Sequence, residues 1–133
     1  MQREEGVMTS RILIVDDEIH LVRFLQQTLL LEFPDSRVDV AYSGEEALSR
    51  LAQSSYDLIL ADLRMPGFDG LELIRGVRYL NPQVPIILMT GYGSGLIREE
   101  AAKLGVDHYV DKPFEVGTLL QTVQHLLSAG EDK

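Results

Sequence analysis

Arg11-Ile12-Leu13-Ile14-Val15-Asp16-Asp17-Glu18 sets an unbroken apolar run directly against three carboxylates. A run this short, rich in β-branched residues and without polar alternation, is the pattern of a strand covered on both faces, as in a parallel sheet flanked by helices. The pattern recurs downstream. Val38–Tyr42 is a weaker copy, and Asp57-Leu58-Ile59-Leu60-Ala61-Asp62, Val84-Pro85-Ile86-Ile87-Leu88-Met89 and Val106–Val110 complete a set of five.

Between these runs apolar residues fall at helical spacing. Ile19, Val22, Leu25 and Leu29 share one face of a first helix, Leu71, Ile74 and Val77 of a third, and Val116, Leu119, Leu120, Val123 and Leu127 of a fifth. Ser43-Gly44-Glu45-Glu46 reads as a capping box that opens the second, which carries Ala47, Leu48 and Leu51 inward. The fourth, from about Ser94 to Leu104, has Leu96, Ile97, Ala101 and Leu104 as inward candidates and follows Gly91, Gly93 and Gly95. Little bulk on a permissive loop marks it as a candidate moving part. An ordinary surface helix after a flexible loop gives the same pattern.

Five strand–helix alternations without an internal linker predict one α/β domain: a flavodoxin-like (βα)5 fold, doubly wound, its parallel five-stranded sheet in the order 2-1-3-4-5. The domain is expected over residues 10–129, with 1–9 as an N-terminal tail and 130–133 as a C-terminal tail or the start of a linker.

Composition narrows the function. At 133 residues and 45% hydrophobic, the chain can bury a real core. It has no cysteine, which excludes thiol catalysis, zinc–thiolate sites and disulfides. A net charge of -9 with no Lys/Arg cluster argues against direct nucleic-acid binding. No apolar run approaches the ~20 residues that span a bilayer, and the polar Met1–Met8 stretch lacks a signal-peptide layout. The expected location is cytoplasmic, without membrane attachment.

In an open α/β sheet the ligand crevice lies beyond the carboxyl ends of the strands at the switch in strand order. Asp16 and Asp17 follow the first strand, Asp62 closes the third, Thr90 follows the fourth and Lys112 the fifth. Three carboxylates in one crevice repel one another unless a cation joins them. With no His or Cys nearby the donors are hard, and Mg2+ fits better than zinc or copper. A carboxylate can attack phosphorus and form an acyl phosphate, whose transferring group needs its charge neutralised. Asp62, Mg2+, Lys112 and Thr90 fill those roles. Taken singly, each residue also has a structural explanation: a helix cap, a turn former, a strand end, a surface charge.

Four motifs in this order, Val15-Asp16-Asp17-Glu18, Ala61-Asp62-Leu63-Arg64-Met65-Pro66-Gly67-Phe68-Asp69-Gly70, Met89-Thr90-Gly91 and Asp111-Lys112-Pro113-Phe114, resemble the receiver domains of two-component response regulators over nearly the whole chain. The resemblance implies that Asp62 is the phosphoacceptor. It implies that Asp16, Asp17, Asp62 and the backbone carbonyl of Arg64 hold Mg2+, that Lys112 contacts the phosphoryl group and that Thr90 hydrogen-bonds to it. By the same resemblance Lys112-Pro113 is a cis bond, Gly91 leaves room for the phosphodonor, and Tyr109 is a switch aromatic that moves with Thr90. Arg64 and Tyr92 border the crevice and are expected to set the lifetime of the acyl phosphate.

The implied function is a phosphorylation-activated switch, not an enzyme acting on an external substrate: it catalyses its own phosphorylation and dephosphorylation only. The implied partners are a sensor histidine kinase or phosphotransfer protein and a downstream effector reached through the fourth helix and fifth strand, with room for a homodimer on phosphorylation. Two other readings stay open. A phosphohydrolase of the haloacid-dehalogenase type would carry a second Asp two residues after its nucleophile, where this chain has Arg64. A nucleotide or flavin module would use Gly91-Tyr92-Gly93-Ser94-Gly95 as a phosphate loop, but that stretch lacks the Gly-Lys-Ser/Thr ending and follows the fourth strand.

Overall fold

Strand β1 (Arg11–Val15) is an interior strand of the sheet, with Ile12, Leu13, Ile14 and Val15 wholly buried. The computed structural model describes residues 9–62, 64–65, 68–90, 95–106 and 108–131. After β1 come α1 (Ile19–Glu32), β2 (Arg37–Ala41), α2 (Gly44–Gln53), β3 (Leu58–Asp62), β4 (Arg64–Met65), β5 (Phe68–Asp69) and α3 (Gly70–Leu80). Then follow β6 (Ile86–Thr90), α4 (Gly95–Lys103), β7 (His108–Asp111) and α5 (Val116–Glu131). The main sheet has the order β2-β1-β3-β6-β7 with every pairing parallel. With the two-residue antiparallel ladder of β4 and β5 set apart, this is the expected 2-1-3-4-5 order of a flavodoxin-like fold.

Because side chains alternate along a strand, each strand feeds two cores. Ile12, Ile14, Leu58, Leu60, Ile87 and Met89 pack with Val22, Leu25 and Leu29 of α1 and Leu119, Val123 and Leu127 of α5. Leu13, Val15, Ile59, Ala61, Ile86 and Leu88 pack on the other face with Ala47 and Leu51 of α2, Leu73, Ile74 and Val77 of α3 and Ala101 of α4. Among the described residues no helix is long and apolar enough to cross a membrane.

Local departures from the sequence pattern have simple causes. Ile19 was expected inward but is 55% exposed, because α1 begins there, ahead of the stripe that meets the sheet from Val22 onward. The inward stripe of α3 also includes Leu73, while Leu71 sits at its rim. Ser43 caps α2 by accepting from the Glu46 N–H at 3.1 Å, whereas the Glu46 carboxylate accepts from the Tyr42 N–H at 2.7 Å, one residue earlier than a capping box requires.

Two polar side chains tie distant elements together. Arg78 of α3 donates from Nε to the Leu104 carbonyl at 2.6 Å and from its amino groups to those of Val84 at 2.7 Å and Gly105 at 3.3 Å. Gly105 holds φ +86, a left-handed conformation that ends α4 and suits glycine. Tyr56, nearly buried, donates its hydroxyl to Asp39 Oδ2 at 2.6 Å. Burial pushes the Asp39 carboxyl up, but the hydrogen bonds from Tyr56 and Arg37 outweigh it and hold the group below its ordinary value.

A carboxyl depressed in this way contributes stability above its unfolded pKa and loses it as pH falls through the folded value. Tyr56→Phe should therefore cost about 1–2 kcal/mol at neutral pH. The deficit should shrink below about pH 4. Denaturant unfolding across a pH series checks this; a deficit independent of pH would assign the hydroxyl's contribution to something other than Asp39.

Candidate functional site

The carboxyl ends of β1, β3 and β7 converge on one acidic site. Asp16, the first residue after β1, is fully buried. Its backbone N–H donates to the Ala41 carbonyl at 3.1 Å, extending the ladder to β2 by one bond. Its Oδ1 accepts from the Glu18 N–H at 3.0 Å, which leaves Oδ2 turned toward the crevice. Asp62 closes β3 and is 5% exposed. Asp17 lies on the rim, exposed. One oxygen from each of Asp16, Asp17 and Asp62 lies within 4.8 Å of the others.

Lys112 supplies the opposing charge. It follows β7, and its peptide bond to Pro113 is cis. Its Nζ donates to Asp16 Oδ2 at 2.7 Å and to Asp62 Oδ2 at 2.9 Å. Glu18 Oε1 lies farther off, at 3.4 Å. Burial would lower the ammonium's pKa, yet the hydrogen bonds to Asp16 and Asp62 outweigh it and carry the group above its ordinary range, so it stays charged. The pKa of Asp16 is raised as well. Its burial raises the carboxyl pKa despite Lys112 and the Glu18 N–H, and the Asp62 charge adds to the rise.

Three carboxylates against one ammonium leave excess negative charge at the crevice. The donors are hard oxygens, and this group contains neither His nor Cys. Such a set suits a divalent cation of the Mg2+ type, which takes one or two carboxylates and keeps waters or phosphate oxygens for its remaining positions. The residues therefore fit the expected Mg2+. An open groove of about 630 Å3 adjoins the site, lined by Glu18 and Lys112 together with Leu21, Phe24, Pro113, Phe114 and Val116.

The remaining expected residues fall unevenly. Thr90 ends β6 opposite Asp111, and Arg64 lies in β4 paired with Asp69, but the side chains of Thr90 and Arg64 are outside what is described. Gly91 and Tyr92 lie outside the described residues. Tyr109 is half-buried in β7, packed against the α2–α3–α4 core, with its hydroxyl 2.8 Å from the Val106 carbonyl. Two features escaped the sequence reading. Glu18 reaches Lys112, and Arg98 of α4 covers the Tyr109 ring, its guanidinium carbon 5.1 Å from the centroid.

Comparisons with known proteins agree with this geometry. Residues 12–124 match the model of the response regulator receiver domain. The chain is 37% identical over 118 residues to the response regulator ArlR of Staphylococcus saprophyticus, covering 89% of this chain and 52% of that protein. It is 36% identical over 117 residues to the transcriptional regulatory protein ZraR of Salmonella typhimurium, covering 88% and 26%. The chain thus spans about half the length of ArlR and a quarter of ZraR. Among solved structures, a CheY-like response regulator receiver domain protein from Methanospirillum hungatei superposes with a TM-score of 0.86 at 30% identity, covering 94% of this chain and 98% of that one. The response regulator TrrA of Thermotoga maritima, in complex with Mg2+-BeF, gives 0.76 at 36% identity, covering 89% and 99%.

Proposed function

The chain belongs to the response regulator receiver domain family, and from that premise we propose that it is a phosphorylation-activated switch whose acceptor is Asp62. The observation that carries this reading is the Lys112 ammonium clamped between Asp16 and Asp62 at 2.7 and 2.9 Å, with Asp17 in reach of the same centre.

An oxygen of the Asp62 carboxylate attacks the phosphorus of a phosphohistidine or an acyl phosphate. As the new P–O bond forms, the bond from phosphorus to the donor's nitrogen or oxygen breaks, and the donor leaves with the electron pair. Lys112 stays protonated throughout and transfers its hydrogen bonds from carboxylate to phosphoryl oxygens, neutralising charge where it develops. Asp16, Asp17, Asp62 and the Arg64 carbonyl would hold Mg2+, which when bound supplies the divalent charge that lets carboxylates and phosphate share one crevice. Thr90 hydrogen-bonds to the phosphoryl group and Tyr109 follows it, while Gly91 and Pro113 shape the approach and Arg64 and Tyr92 limit hydrolysis. The chain thus catalyses its own phosphorylation and dephosphorylation only.

The partners are a sensor histidine kinase or phosphotransfer protein and a downstream effector domain, with a homodimer on phosphorylation, and the location is the cytoplasm. The apolar groove beside Lys112 supports a protein phosphodonor, since it offers docking area next to the reacting atoms. Intact mass after incubation with acetyl phosphate tests the reading. One phosphoryl increment is expected with Mg2+ and none after chelation with EDTA; the absence of an increment in Mg2+ would overturn it.

A further inference from the structure

The described part of helix α4 makes several polar contacts with its neighbours, while the side chains of Leu96 and Ile97, expected inward, lie outside what is described. Among its described side chains only Ala101 is buried. Its C-terminal end is fixed by Arg78, whose guanidinium takes the Leu104 and Gly105 carbonyls. Charge-assisted bonds to main-chain carbonyls are strong, and they bind this end of the helix to α3.

Nearer the other end, three contacts meet at one residue. The Arg98 guanidinium pairs with Asp111 at the end of β7. The same group stands 5.1 Å from the centroid of the Tyr109 ring. The Arg98 main-chain carbonyl lies 3.1 Å from the Tyr109 hydroxyl, which also reaches the Val106 carbonyl at 2.8 Å. A phenol has one proton, so the hydroxyl shares it between the two carbonyls. The half-buried ring thus packs against the α2–α3–α4 core and also carries a cation over its face. Asp111 precedes Lys112 and pairs with Thr90 in the sheet register, so the clasp ends one residue from the ammonium of the acidic site.

We propose that Arg98 is a positioning residue for Tyr109: it clasps the ring against α4 and biases the domain toward the arrangement described here and away from its phosphorylated one. The proposal rests on the switch reading above. An ion pair with partners 38% and 70% exposed is individually weak, as is an exposed cation–π contact. Weak contacts suit a switch, because a contact made in one of two states shifts their ratio by its whole value and must still be overcome by phosphorylation. With Arg78 anchoring the far end, release of Arg98 frees the part of α4 nearer the acidic site.

The test combines spectra of ring-labelled tyrosine in the unmodified protein with titration by beryllium fluoride in Mg2+, which stands in for the phosphoryl group. Arg98→Ala should shift the Tyr109 ring resonances without any ligand and raise beryllium fluoride affinity about three- to tenfold. Asp111→Asn, which breaks the ion pair from the other side, should move both in the same direction by less, and Arg98→Lys should fall between parent and Arg98→Ala. In a Tyr109→Ala background, Arg98→Ala should change affinity by less than about twofold. Unchanged ring resonances, or an affinity equal to or below the parent's, overturn the clasp. Failure of the parent itself to bind beryllium fluoride or accept phosphoryl sinks the switch reading instead, and the ring resonances of the unmodified variants then still decide whether Arg98 positions Tyr109.

Discussion

Asp62→Asn should carry no phosphoryl group after incubation with acetyl phosphate and Mg2+. The carboxamide keeps the volume of the side chain and an oxygen for Lys112, but it is not a nucleophile toward phosphorus. The loss should be complete and should not come from unfolding. Replacing one of three neighbouring carboxylates with a neutral group relieves repulsion around the buried Asp16. Stability without Mg2+ should therefore equal the parent's or exceed it by about 1 kcal/mol. Intact mass and urea unfolding on the same preparation check both halves. An undiminished adduct would assign the acceptor to another carboxylate and remove Asp62 from the role.

Lys112→Ala should slow phosphorylation by acetyl phosphate about a hundred- to a thousandfold, the scale of losing one preorganised donor to the developing charge. It should also destabilise the fold. With the ammonium gone, fully buried Asp16 faces Asp62 and Asp17 without a cation. Removing one partner of a buried pair costs about 3–5 kcal/mol. Part of that should return with Mg2+, since a ligand bound to the native state at about a hundred times its Kd contributes roughly 2.7 kcal/mol. The stabilisation by Mg2+ should be larger in the variant than in the parent, which already has its internal cation. Urea unfolding with and without Mg2+ measures the difference; equal gains would mean that Lys112 and the metal do not serve the same carboxylates.

Much of this architecture is legible in the sequence because the signals are strong where the chain is buried on both faces. Ile12 to Val15 and Leu58 to Ala61 have no exposed side to carry polar residues, so they read as strands unaided. Strand β2 reads more weakly because it lies at the sheet edge, with Asp39 and Val40 half-buried. The ladder of Arg64–Met65 with Phe68–Asp69 is too short for any periodicity to register.

Asp16, Asp62 and Lys112 are legible for a related reason: a polar residue at the end of an apolar strand stands out. What they do with one another is not. Nothing in the residue order says that Lys112 bridges Asp16 and Asp62 while Glu18 stands farther off. Arg78 and Arg98 are invisible at that level. Both lie on helix surfaces, where charged residues are the default, and their partners are main-chain carbonyls and an aromatic face fixed only by three-dimensional packing.

The contact between Lys112 and Asp16 joins residues 96 positions apart. A ribosome lengthening the chain at roughly 5–20 residues per second therefore exposes Asp16, Asp17 and Asp62 several seconds before it delivers the lysine. A nascent fragment that stops short of Lys112 holds the carboxylates but not the cation set between them. The acidic site thus gains its internal cation only once synthesis has passed residue 112, and a fragment cut short before it lacks the ammonium that joins Asp16 and Asp62.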